Sequence, residues 1–96
     1  PDYSFYAPNA FTPNADGIND IFYVYGEGIQ QSNFELFIFD RWGNQIFYSE
    51  DITKGWDGTV RGGGKISQID TYVWKVNFVD INGNKHRYIG HVNLIR

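Results

Sequence analysis

Oxygen-bearing side chains crowd one short stretch, Thr12-Pro13-Asn14-Ala15-Asp16-Gly17-Ile18-Asn19-Asp20. Donors at alternate positions, a glycine for a sharp bend and a further carboxylate are the front half of a Ca²⁺-binding loop. Asn14, Asp16 and Asp20 would supply the side-chain oxygens, with backbone carbonyls completing the shell. The bidentate glutamate that closes such a loop is missing, because Tyr23 stands where it would fall. Two carboxylates make a weak calcium site. The same residues also suit a pair of Asx-turns that launch the next strand, since Asn and Asp side chains bond the backbone two residues on. Both readings are open at this level.

A second constellation pairs Arg41-Trp42-Gly43 with Gly55-Trp56-Asp57-Gly58. A tryptophan beside a tight turn can plug the open end of a β-sandwich, or it can stand outward as a sugar platform or a partner anchor. If the two turns meet, Arg41 is expected to pair with Asp57 or to stack on Trp56. Arg41, Trp42, Trp56 and Asp57 are therefore candidate partner contacts, together with Leu94 and Ile95 at the end of the sequence.

Catalytic chemistry finds little footing. None of Ser4, Ser32, Ser49 and Ser67 sits in a Gly-x-Ser-x-Gly elbow. His86 and His91, five apart in one expected strand, fall on opposite faces and cannot readily share a metal or substrate. They read as solvent-facing strand histidines. A glycosidase-like carboxylate pair would need a cleft that a lone sandwich of this size hardly provides. With no cysteine there is no thiolate nucleophile, disulfide or Cys-ligated metal. The chain reads as non-enzymatic.

What positions these residues is a pattern of period two. The chain has 96 residues, the length of one compact domain, and 42% of them are hydrophobic, which argues against disorder. Its net charge of −3 lacks the basic balance of a nucleic-acid-binding domain, and no apolar run is long enough for a membrane-spanning helix. Tyr72, Trp74, Val76 and Phe78 point one way while Lys75 and Asn77 point the other. Tyr88, Gly90, Val92 and Leu94 repeat the arrangement against His91 and Asn93. Phe34-Glu35-Leu36-Phe37-Ile38-Phe39 is apolar on both faces, as in a strand with neighbours on each side. Shorter strands are expected at 5–7, 20–25 and 45–49, and at most one helical turn at 52–56. Asn82-Gly83 and Gly43-Asn44 read as two-residue hairpin turns, and Gly62-Gly63-Gly64 as a flexible loop. The expected fold is all-β, an immunoglobulin-like antiparallel β-sandwich of about seven strands.

The same motifs carry a family resemblance. Phe11-Thr12-Pro13-Asn14-Ala15-Asp16-Gly17-Ile18-Asn19-Asp20 resembles the opening of the gliding-motility-associated C-terminal domain, the type B sorting domain of the type IX secretion system. Arg41-Trp42-Gly43, Ile46-Phe47, Gly55-Trp56-Asp57-Gly58, Tyr72-Val73-Trp74-Lys75-Val76 and Gly90-His91-Val92-Asn93-Leu94-Ile95-Arg96 follow in the family's order. Ala15 replaces a usual Gly, and Asp70-Thr71 stands where the family often has Gly before its Tyr. The resemblance implies a single non-catalytic domain over residues 1–96, cut from the C-terminal end of a larger secreted protein. It implies that the domain addresses its cargo through the translocon to the cell surface or medium of a Gram-negative bacterium, after transit through the periplasm. A PorP/SprF-like outer-membrane protein is the implied partner.

A chain with this much apolar alternation is expected to be folded when a receptor meets it, so the signal would be a shape. If the final strand, 86–95, lies at a sheet edge, its backbone could accept a partner strand by β-augmentation. The competing expectation is a calcium-dependent adhesion or carbohydrate-binding sandwich, suggested by the 18 aromatic residues and the Asp16 loop.

Overall fold

Alternation resolves into seven strands in the computed structural model, which describes residues 3–13, 20–59 and 70–95. They are β1 (Ser4–Tyr6), β2 (Ala10–Phe11), β3 (Tyr25–Glu27), β4 (Glu35–Phe39), β5 (Gln45–Ser49), β6 (Asp70–Val79) and β7 (Lys85–Leu94). β1 and β3 form a two-stranded sheet, and the other five form a sheet in the order β2-β7-β6-β4-β5. No helix forms among the described residues, and Asp51–Lys54 closes only a hydrogen-bonded turn. The fold is an immunoglobulin-like β-sandwich.

β6 and β7 pair antiparallel over ten consecutive residues without a register shift, from Asp70↔Leu94 to Val79↔Lys85. Tyr72, Trp74, Val76 and Phe78 are buried along one face of β6, with Val92 and Leu94 beside them on β7. Leu36, Ile38 and Phe34 continue that buried surface, and Phe5, Phe22 and Val24 cover it from the other layer. Each such side chain contributes about 1.5–3 kcal/mol when fully removed from water. The outward face of the large sheet is polar in one row. Tyr48 donates to Glu35, Asn77 donates to Glu35, and Arg87 donates to Asn77, linking β5, β4, β6 and β7.

Three details differ from the sequence expectation. The strand expected at 20–25 begins only at Tyr25, and Phe22 makes an isolated bridge to Trp56. Gly26 lies inside β3, where a Cβ would crowd the end of the Ile29 side chain and the Ser4 carbonyl oxygen. Pairing is not wholly antiparallel, since β2 runs parallel to β7 through Ala10↔Asn93 and Phe11↔Leu94. The chain leaves β1 in one sheet and enters β2 in the other within three residues, so it meets β7 without reversing.

The hairpins are also longer than two residues. Asp40 donates its N–H to Asn44 O and Asp80 donates to Asn84 O, so each turn holds three residues. Only Gly43 (φ 83°) and Gly83 (φ 88°) take left-handed conformations in these turns, the mark of a three-residue loop with a glycine bulge.

Candidate interaction surface

Strand direction gathers most of the candidate residues at one end of the sandwich. β4 ends there, β6 begins there, and β7 runs out beside them, because Phe39 pairs with Val73 and Asp70 with Leu94. The turn after β4 is fastened by Asp40, whose Oδ1 accepts the N–H groups of Trp42 and Asn44. Burial opposes ionisation of Asp40, yet these hydrogen bonds hold its carboxyl below the ordinary value. The clamp leaves the side chains of Arg41 and Trp42 projecting from the turn.

Arg41 does not pair with Asp57 or stack on Trp56. Its Nη2 donates to Asp70 Oδ1 at 2.9 Å, and its guanidinium carbon lies 5.4 Å from the ring centroid of Trp42. The reason is register: Phe39 pairs with Val73, which sets the start of β6 beside the β4–β5 turn and brings Asp70 within reach of Arg41. Trp42 is 70% exposed. An exposed indole held beside a guanidinium is the kind of group that anchors partner interfaces.

The two tryptophans have opposite fates. Trp56 is 0% exposed, with backbone bonds to Phe22 at 2.8 and 3.0 Å. Its ring centroid lies 5.2 Å from that of Phe11 and 5.0 Å from that of Tyr72. Its Nε1–H donates to Thr59 O at 2.9 Å, so the polar tip is satisfied. Trp56 is the plug of this end and offers nothing to a partner in the folded state. Leu94 is buried too, while Ile95 is exposed. Asp57 closes its own turn, accepting the N–H and hydroxyl of Thr59.

Of the calcium candidates, Asn14 and Asp16 lie outside the described residues. Asp20 is described and half-buried. Among the described residues no group of three or more His, Asp or Glu is gathered to hold a metal.

The opposite end holds the one histidine correction. His91 is exposed, but His86 is not a solvent-facing residue. Its Nε2 lies 2.8 Å from Asp80 Oδ2, and Asp80 is only 3% exposed. Tyr3 covers the imidazole at 4.2 Å between centroids and its hydroxyl lies 2.7 Å from that of Tyr88. Asp80 Oδ1 accepts the N–H groups of Asn82 and Asn84. Hydrogen bonding to His86, then to the Asn84 amide, outweighs burial and lowers the Asp80 carboxyl below its ordinary value. This His–Asp pair fastens a turn: Asp80 Oδ1 holds two backbone amides while Oδ2 holds the imidazole.

One signal in the sequence was legible but unread. Asp40-Arg41-Trp42-Gly43-Asn44 and Asp80-Ile81-Asn82-Gly83-Asn84 share the pattern Asp-x-x-Gly-Asn, and both fold into the same carboxylate-clamped turn. Asp51-Ile52-Thr53 and Asp57-Gly58-Thr59 likewise share a turn in which Thr donates both its N–H and its hydroxyl to Asp Oδ1.

No curated protein matches the chain. The family model of the CHU_C type IX secretion signal domain matches residues 5–94, which include both tryptophan turns and both long strands.

Proposed function

This chain belongs to the CHU_C type IX secretion signal domain family, and from that premise we propose that its export signal is read as a folded surface. A domain of this family is a sorting signal, and the protein that carries it is cargo of the type IX system bound for the cell surface or medium. The proposal concerns how the signal is presented. Its support is the unbroken ten-residue ladder of β6 and β7 over a buried aromatic core, which leaves no extended peptide there for a receptor to read. Arg41, Trp42, Asp57 and Ile95 are the exposed members of the candidate set and would meet the translocon or a PorP/SprF-like outer-membrane protein of a Gram-negative host. Nothing in this role calls for catalysis.

The test is export of a fluorescent cargo carrying the domain at its C-terminus. Trp42→Ala and Arg41→Ala remove exposed groups, truncation before Gly90 removes half of β7, and Trp56→Ala attacks the core without touching the surface. Export should fall for Trp56→Ala in step with the unfolded fraction. Export of an unfolded variant at the level of the intact fusion would mean the signal is linear.

A further inference from the structure

The outer edge of β7 is covered by a strand only at its C-terminal end among the described residues. β2 pairs only at Ala10↔Asn93 and Phe11↔Leu94, and among the described residues no strand pairs with β7 beyond that point. Asn93 N–H donates to Asn9 O and Ile95 N–H to Phe11 O, which fixes the direction of the odd-numbered amides. Backbone groups alternate along a strand, so the N–H groups of Arg87, Ile89 and His91 point away from β6 along the same edge. Side chains of those residues stand on the outward face, opposite the core-facing Tyr88, Gly90 and Val92. Ile89 is 64% exposed. An edge whose donors and acceptors meet no strand among the described residues, beside an exposed apolar residue, is a template for another strand.

Charge says what kind of strand. The chain as a whole is acidic, yet neither 71–79 nor 85–95 contains an Asp or Glu. Lys85 and Arg87 flank Ile89 on one side, His91 lies on the other, and Lys75 is its cross-strand neighbour. A basic row around one apolar position is complementary to a strand with an acidic–x–apolar–x–acidic pattern on its outward face.

We propose that the Lys85–Ile89 edge of β7 accepts an extended acidic strand of a partner in the export apparatus, which adds to the five-stranded sheet where β2 stops. The inference rests on the reading that a folded surface is the export signal. It supplies the partner's chemistry.

The export assay of the fused cargo distinguishes the two. Ile89→Pro removes an outward N–H that the β6 ladder does not use, a substitution that edge strands tolerate. Lys85→Glu with Arg87→Glu reverses the charge using exposed side chains alone. Ile89→Val keeps both the donor and the apolar side chain and serves as the control. Export should fall about tenfold or more for the proline variant, since a partner carbonyl is left unpaired. It should fall comparably for the double charge reversal and stay near the intact level for valine. A proline variant that melts like the parent yet exports like it overturns the edge as a docking site. Loss with proline and none with charge reversal removes the acidic character of the partner. If the proline variant fails to fold, the charge reversal decides alone: undiminished export overturns the proposal. An intact fusion that is not exported at all sinks the sorting reading, and this inference with it.

Discussion

Asp80 Oδ2 and His86 Nε2 lie 2.8 Å apart, and the same carboxylate binds two backbone amides of the β6–β7 turn through Oδ1. Asp40 does the same work at the other end with Asn44 Nδ2 in place of the histidine. Asp40 is half-buried, whereas Asp80 is only 3% exposed and its histidine packs against Tyr3 and Phe78.

Burial therefore separates two chemically identical substitutions. Asp40→Ala should lower the melting temperature slightly, because water replaces the lost acceptor. Asp80→Ala should lower it by several degrees, because two amides and a partly buried imidazole lose a buried carboxylate partner. Thermal melts followed by circular dichroism rank the two.

The depressed carboxyl of Asp80 also sets an acid limit. Its proton is held less tightly in the folded state than in the unfolded chain, so unfolding takes up protons at low pH. The stabilisation is fully present above the ordinary carboxyl value of 3.8 and drains away as pH falls through the lowered folded value. Asp40 and Asp51 are shifted the same way and add to the slope. Melting temperature should hold near neutrality, decline in acid below that value, and decline less steeply for Asp80→Asn.

Trp56→Ala should cost about 3–5 kcal/mol in urea unfolding, the usual range for emptying a buried aromatic site. Trp42→Ala should stay within about 0.5 kcal/mol, as an exposed side chain does. A comparable loss at Trp42 would mean that its indole packs in solution.

Sequence legibility followed period and turn chemistry. The faces of β6 and β7 could be assigned residue by residue, because both strands are long and half-buried. The segment before β3 could not, because Phe22 and Val24 are buried in an extended stretch that pairs only once. Nothing local announces which of Trp42 and Trp56 is inside, since both sit beside a glycine in a turn. The difference lies in the long-range bridge from Phe22. Arg41's partner was missed for the same reason, as Asp70 is 29 residues away and is brought near only by the β4–β6 register.

Gly90 marks where a strand gives way to a ring. A Cβ there would lie 2.5 Å from Trp74 Cζ2, so Gly90→Ala must push the indole aside. The overpacking should cost about 1–3 kcal/mol and shift the tryptophan emission, since Trp74 is held against Phe5. Unchanged emission and stability would show that the indole has slack.

Calcium provides a direct test of the loop around Asp16. If residues 14–20 are Asx-turns, millimolar Ca²⁺ leaves the melting temperature unchanged and EDTA does nothing. A rise with Ca²⁺ that EDTA reverses, and that Asp16→Asn abolishes, establishes the metal instead.

β2 and β7 run side by side in the same direction, tied by Asn93 N–H to Asn9 O and by Ile95 N–H to Phe11 O. A tug on whatever precedes β2, while β7 is gripped, slides the two strands past one another and loads these bonds simultaneously rather than peeling them singly. Mechanical resistance would then be greatest along the line in which a tethered passenger is hauled.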